Sequence, residues 1–509
     1  MAVAGGVLAL ALALRLAAIG VDGLWMDEVF GTSYANLGFV DVVLAVLRFD
    51  IHPPLYYLQL KLWSLPAAGD GWLLSNSALW SLATVALAAL AVKSRAGARA
   101  GLVTLVLAAV LGSEIHFAAE LRMYAMLSCL TVGAWWLAER WVAAPTRRAA
   151  LALVGTLALL AAVHSAAFVP ISCVLLYLLV GRWPVDGPRA LLRCLGPALG
   201  TGLVLAPWLV NASLRSVSHT LAPDLSIMAR TVSGWLLGYG AVPIGAVAVA
   251  ATATLILALV LAGLASGPSK VRAVLLCFVV WPVALVALIS LALRPIWLDR
   301  TLCFCAPFLA IAAGLWATDD RLRRLAPAAL AGLLAAVVVG LAGLAWLQAG
   351  HARKMQYREL AQALTAANVE QLPIHVPSNL NFWGVARYLQ GPHWGSLFEI
   401  QDPVAADDSK TWARIYQRIG EPRLRQLGLL PSTRTLATPT GTMWIGSTAL
   451  PPAVLARDHW LVGDAALAGR ADACAPAVTG EARRFRGLTL VRCGPVAVGD
   501  GAIVAATGS

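Results

Sequence analysis

The sequence predicts an α-helical polytopic membrane protein of about eleven transmembrane helices with a small α/β domain at its C-terminal end. Three observations predict it. The chain is 60% hydrophobic and only 13% charged. Its apolar residues come in successive runs of roughly 18 to 25, the length that crosses a hydrocarbon core. The runs stop near residue 347, beyond which helix-like and strand-like stretches alternate between polar segments. The chain thus divides into a membrane domain at 1–347, with a first outer loop at 21–72, and a soluble domain at 348–509.

The first run, Met1 to Gly20, has no basic n-region and carries Arg15 in its second half, so it reads as a retained span and not as a signal peptide. After it comes a polar, acidic and aromatic stretch, Trp25-Met26-Asp27-Glu28, and then His52-Pro53-Pro54-Leu55-Tyr56-Tyr57. The apolar run Pro53 to Pro66 is too short to cross a bilayer and contains Lys61, which places it in the interface. Spans are expected at 73–92, 101–113, 123–141, 149–163, 166–181, 195–213, 240–265, 271–293, 301–317 and 325–347. In the tail, Tyr357 to Ala367 and Lys410 to Arg418 read as helices, and Ile374 to Val376, Thr442 to Ile445 and Leu488 to Arg492 as strands.

A net charge of +12 would suggest a nucleic-acid partner in a soluble protein. Here the basic residues fall in short loops between spans, so no nucleic acid is expected and the charge reports topology. One set of loops carries Lys93, Arg95, Arg99, Arg140, Arg147, Arg148, Arg182, Arg189, Arg193, Lys270, Arg272, Arg321, Arg323 and Arg324, fourteen in all. The opposite set carries seven: Arg48, Lys61, Arg122, Arg215, Arg230, Arg294 and Arg300. The richer set is expected to be cytoplasmic, which puts Asp27, Glu28, His52, Glu120, Arg122, His164, Asp299 and Arg300 together on the far side, with the tail.

Six cysteines, Cys129, Cys173, Cys194, Cys277, Cys303 and Cys305, lie in or beside spans and read as small core residues. Cys474 and Cys493 sit in the polar tail at a spacing that suits a disulfide outside the cytoplasm.

A carboxylate pair such as Asp27-Glu28 either binds a hard cation, supplies a general base, or simply caps a helix N-terminus, where acids are favoured by the dipole. His52-Pro53-Pro54 fixes an extended turn before a helix, which is also an ordinary interfacial turn with belt aromatics. In Glu114 to Tyr124, a continuous helix would put His116, Glu120 and Tyr124 on one stripe; the plain alternative is an outer loop with a local Glu120–Arg122 pair. Arg15, His164 and Arg300 are ionisable groups in or at the edge of spans, the positions most often tied to function, and an arginine there either grips a lipid phosphate or snorkels. No Walker loop, dinucleotide glycine motif, zinc-type cluster or serine elbow occurs in a supporting context.

Taken in order, these pieces resemble the polytopic glycosyltransferases of superfamily C (GT-C), in the bacterial branch related to protein O-mannosyltransferases and to the lipid A aminoarabinose and galacturonic acid transferases. The matching pieces are Trp25-Met26-Asp27-Glu28, His52 to Tyr57, Glu120-Leu121-Arg122-Met123-Tyr124-Ala125, His164, Ala206-Pro207-Trp208-Leu209 and Asp299-Arg300-Thr301 before Ala306-Pro307, spread over most of residues 1 to 318. Two departures stand out: a threonine follows Arg300 where many relatives have an aromatic, and Ser75 to Trp80 lacks a frequent arginine.

The resemblance implies a multi-pass protein of the bacterial inner membrane, with its active site and C-terminal domain in the periplasm. It implies a polyprenyl-phosphate sugar donor, a membrane lipid or glycan acceptor, and an inverting hexosyl or pentosyl transfer. Asp27 would be the catalytic acidic residue and general base, with Glu28 its companion. Glu120 would be the acidic group of the second loop. Arg300, Arg122, Arg15, His52, His164, Tyr57 and Tyr124 are the candidates for donor phosphate and sugar. A divalent cation at Asp27, Glu28 or Glu120 stays open, as does the competing reading of a transporter or flippase for a lipid-linked glycan.

Overall fold

A computed structural model of the chain describes residues 2–20, 22–214, 222–239, 244–319, 327–349, 351, 353–376, 379–391, 435–438, 441–445, 458–463 and 478–494. It separates into two compact units. The first comprises Met1–Val21, Asp50–Gln59 and Leu74–His351. The second joins Asp22–Phe49 and Leu60–Leu73 to Ala352–Ser509.

The first unit is helical. Among the described residues six helices are long and apolar enough to cross a membrane: Ala2–Ile19, Asp70–Ala109, Ser165–Asp186, Ala246–Ser266, Ser269–Ala292 and Asp299–Trp316. The chain is therefore a multi-pass membrane protein. The expected span 73–92 and most of 101–113 belong to Asp70–Ala109, which is interrupted at Gly97 with φ 88° and ψ 173°, a backbone that side-chain-bearing residues adopt only under strain. The helix Leu225–Leu237 was not anticipated from the sequence, because its thirteen residues, with Arg230 among them, fall short of the apolar run that marks a span.

The core of this unit is built on an aromatic column. Phe278 stacks on Phe308 at 4.0 Å and 10°, Trp135 meets Phe308 edge-on, and Tyr177 packs on Phe278. Phe278 lies in a π-helical stretch, Leu276–Val280, whose extra residue per turn re-aims the side chains of that helix. At one end of the column Tyr177 donates to buried Glu139, which also pairs with Arg95 at 2.7 Å. A second polar stitch runs through Arg15. Its Nε donates to Ser81 Oγ at 3.0 Å and its Nη1 to the Ala11 and Ala109 carbonyls, while Ser81 Oγ donates to the Glu114 carbonyl at 2.8 Å. Fully buried polar groups persist only when bonded in this way.

The second unit carries a six-stranded mixed sheet in the order β2-β3-β1-β4-β6-β5. Here β1 is Ile374–Val376, β2 Thr435–Thr438, β3 Gly441–Ile445, β4 His459–Gly463, β5 Val478–Phe485 and β6 Leu488–Cys493. The β1 strand is parallel to both β3 and β4, pairing Ile374 with Met443 and with Trp460; the other pairings are antiparallel. Parallel neighbours require crossovers, and the helix Asn379–Gln390 follows β1 directly. Tyr357–Ala367 is a helix and the three strands read from the sequence are present. The helix expected at Lys410 to Arg418 lies outside the described residues. Cys493 is disulfide-bonded, and Cys474, its expected partner, lies outside the described residues as well.

Candidate functional site

In the membrane unit, one cavity of about 170 Å³ brings together four of the residues singled out above, His52, Tyr124, His164 and Arg300. Its walls are apolar side chains such as Phe168, Val169, Leu209 and Val286, and its polar lining is His52, Tyr124, His164, Ser165, Arg294, Arg300 and Thr301. Each is placed by a local feature of the sequence. The Asp50 carboxylate accepts the His52 N–H at 2.8 Å and the Tyr57 hydroxyl at 2.7 Å, so a short turn closes on itself before Pro53-Pro54 starts the helix Leu55–Ser64. Tyr57 thereby holds the His52 turn.

His164 breaks the chain between the helices Arg147–Ala161 and Phe168–Asp186, and its Nδ1 accepts the Ala166 N–H at 2.8 Å. A ring nitrogen that accepts carries no proton, so the neutral form of His164 is protonated at Nε2. The two imidazoles lie 4.3 Å apart, Tyr124 packs 5.7 Å from His164, and Ser165 Oγ is 3.2 Å from His52 Nδ1. Burial pushes both histidines well below the usual imidazole range. The Arg122 and Arg300 charges add to this for His52, and His52, Arg122 and Arg300 for His164. Both are neutral at physiological pH and present a donor or acceptor without a charge.

Arg300 opens the short 3₁₀ helix Asp299–Cys305, where the Asp299 carboxylate accepts the Arg300 N–H at 2.8 Å. The preceding segment is anchored by Trp297, whose indole N–H donates to Thr231 Oγ1 at 3.0 Å. The cavity thus combines apolar walls, two arginines and two neutral histidines, a chemistry suited to an anionic head with an apolar tail.

Some expectations shift. His116, Glu120 and Tyr124 do not share one helical stripe. The helix Gly112–Ala118 ends first, and Arg122 N–H closes a tight turn on the Glu120 carbonyl at 2.7 Å before Tyr124 begins the next helix. Glu120 and Arg122 are buried in that turn. Arg15 is fully buried in its own network and does not line the cavity. Arg294 does line it, though in sequence it registered only as a loop charge; its place between an apolar run and Pro295 was the available signal.

The acid pair lies in the second unit. Asp27 and Glu28 form the first turn of the helix Met26–Ala35. Glu28 is completely buried; its Oε2 accepts the Trp25 N–H at 2.9 Å and its Oε1 meets Lys354 Nζ at 2.6 Å. Glu28 is therefore a helix-capping carboxylate with a buried counter-charge, one of the three roles its position allowed. Asp22 accepts the Arg353 N–H at 3.0 Å, the Leu24 N–H donates to Tyr388 Oη, and Tyr388 and Arg387 bind Asp70 at 2.6 and 2.9 Å. Gly23 is required here: a Cβ on it would stand 2.6 Å from Tyr388 Oη. Burial, then the Asp27 charge, raises the Tyr357 phenol, which places Asp27 within electrostatic range of that helix. Sequence reading missed Lys354, Arg353, Arg387, Tyr388 and Asp70 because their partners lie hundreds of positions away. Among the described residues no group of three or more His, Cys, Asp or Glu is arranged to hold a metal ion.

No protein-family model matches the sequence and no curated protein does. Solved structures do. ArnT from Cupriavidus metallidurans in the apo state matches with a TM-score of 0.61 at 14% identity, over 96% of this chain and 98% of that one. The same protein bound to undecaprenyl phosphate gives 0.59 at 14% identity over the same shares. The Archaeoglobus fulgidus oligosaccharyltransferase in complex with zinc and sulfate gives 0.45 at 12%, over 76% and 61%. The chain shares its overall fold with ArnT.

Proposed function

We propose that the chain is an integral membrane glycosyltransferase that moves a sugar from a polyprenyl-phosphate donor to a hydroxyl acceptor, in the bacterial inner membrane and on its periplasmic face. The observation that carries this reading is the cavity with Arg294, Arg300 and the neutral His52–His164 pair set in apolar walls. A sugar-linked isoprenoid phosphate has the matching parts: an anionic phosphodiester head for the guanidinium forks, which gains a second charge as the C1–O bond breaks, and a hydrocarbon tail for the walls. The ArnT structure bound to undecaprenyl phosphate, whose fold this chain shares, supports the same donor class.

The transfer inverts the anomeric carbon. The acceptor hydroxyl oxygen attacks C1 and gives up its proton to a general base, the C1–O bond to phosphate breaks, and the phosphate leaves with the bonding electrons. Arg300, then Arg122 and Arg294, stabilise the charge that grows on the leaving phosphate. His52, His164, Tyr57 and Tyr124 shape and order the donor's surroundings. Asp27 is the general base by its place in the Trp25 to Glu28 motif, with Glu28 its companion. Lipid A, another glycolipid, a polysaccharide or a protein are all hydroxyl-bearing acceptors of this kind.

The test is transfer by the purified protein in detergent, where a transporter has no signal. With a polyprenyl-phosphate sugar supplied, the wild type forms glycosylated acceptor and Asp27→Asn loses about 10²-fold or more of the rate. Folded Asp27→Asn turning over at the wild-type rate would rule out the base assignment; no product from the wild type with any donor would rule out the enzyme.

A further inference from the structure

The segment Arg353 to Arg358 is where the C-terminal domain begins, and it grips residues 22 to 28 from several points. The Arg353 backbone N–H and guanidinium reach Asp22, at 3.0 and 3.5 Å. Lys354 Nζ reaches Glu28 Oε1 at 2.6 Å, and Arg358 Cβ lies against Gly23. Of these contacts the one to Glu28 is chemically the most demanding. Glu28 has no exposed surface at all and the Lys354 side chain only 9%. A carboxylate so placed is tolerable only with a bonded counter-charge; without one it must move to water or take up a proton. Its neighbour in the chain is Asp27, on the same first helical turn. Any rotation of that turn to rehydrate Glu28 therefore carries Asp27 with it.

We propose that Lys354 is a positioning residue for the sugar transfer: its ammonium, by neutralising buried Glu28, fixes the helical turn from which Asp27 acts, so the C-terminal domain is a working part of the acidic loop. This rests on the reading of Asp27 as general base. Lys354 touches no reacting atom and acts through Glu28. The pairing is between residues 326 positions apart, so it forms only once the C-terminal domain has folded onto its own loop segment.

The experiment uses the full chain and two independent readouts. In the first, steady-state sugar transfer is measured for Lys354→Met, Lys354→Arg and the double variant Lys354→Met/Glu28→Gln. Misplacing a base by about 1 Å costs about 100-fold, so Lys354→Met lowers kcat by about that factor while KM for the lipid donor stays within about threefold. Lys354→Arg, which keeps the charge, retains at least about a fifth of the wild-type kcat, and the double variant, which no longer buries a carboxylate deprived of its ammonium, regains about tenfold over Lys354→Met. The second readout needs no activity: maleimide labelling of a cysteine introduced by Met26→Cys, which runs about tenfold faster when Lys354 is methionine because the turn opens more often.

The proposal is overturned if Lys354→Met keeps kcat within threefold of wild type, if Lys354→Arg is as slow as Lys354→Met, or if labelling is unchanged. Should the wild type transfer no sugar, the glycosyltransferase reading falls, and labelling still decides whether Lys354 holds the turn. Should the wild type be active and Lys354→Met indifferent, only the positioning role falls.

Discussion

The two regions that hold the candidate residues use their polar groups differently. In the second unit each of the acids Asp22, Glu28 and Asp70 is matched by a cation from residues 353 to 387, so the charges there act as fasteners between distant segments. In the membrane cavity the histidines are kept neutral, and the arginines sit at its lining beside apolar walls. Matched charges hold a fold together. A cavity lined by arginines and neutral histidines between apolar walls offers its polar groups to a ligand.

The largest expected effect comes from the cavity side of this contrast. Arg300→Ala should lower sugar transfer by about 100-fold or more, the usual loss when a donor to a developing oxyanion is removed. Its thermal unfolding midpoint should shift by no more than a change of about 1 kcal/mol produces, because Arg300 is half-buried on a short 3₁₀ helix. Transfer assays and differential scanning fluorimetry on the same preparation separate the two. A large drop in stability with unchanged transfer would erase the distinction between the regions.

How much of this was legible in the sequence follows the same divide. Apolar runs long enough to span a bilayer are local, so the helices read directly, even where Gly97 splits one tract into two. Cavity residues were legible too, since His52, His164 and Arg300 are polar groups stranded beside apolar runs, where any such group calls for a reason. Arg15 shows the limit of that signal. It is just as anomalous in sequence, yet it serves as an internal stitch to Ser81 and two carbonyls. The Glu114 to Tyr124 stripe failed because periodicity does not register a turn closed by backbone bonds between Glu120 and Arg122. The fasteners of the second unit were invisible, because an ion pair between Asp70 and Arg387 leaves no pattern at either position.

Those fasteners make the intermediate prediction. Arg387 is almost wholly buried, and besides Asp70 it reaches Thr32 Oγ1 and the Ala68 carbonyl. Arg387→Ala leaves Asp70 with Tyr388 alone and should cost about 3 kcal/mol, the lower end for breaking a buried pair, since Asp70 retains some exposure. For a unit of this size that is a fall of roughly 10 °C in the unfolding midpoint. Arg387→Lys should recover part of it through the charge, though not the two-pronged geometry. Equal stability of Arg387→Ala and wild type would mean that the ion pairs of this unit do not fasten it.

The smallest effect is the pH dependence of the cavity, and its sign follows from the neutral histidines. His52 and His164 are held well below 6.5 when folded, first by burial and then by Arg122 and Arg300, whereas in the unfolded chain each titrates near its ordinary value. Below that ordinary value the unfolded state binds protons that the folded state refuses, so stability falls as pH drops below about 6.5 and is flat above it. Each histidine contributes at most about 1.4 kcal/mol per pH unit in that window. The His52→Gln/His164→Gln double variant should therefore lose less stability than wild type between about pH 6.5 and 5. A wild-type protein whose unfolding midpoint rises as pH falls through this window would show that the histidines are charged in the folded state.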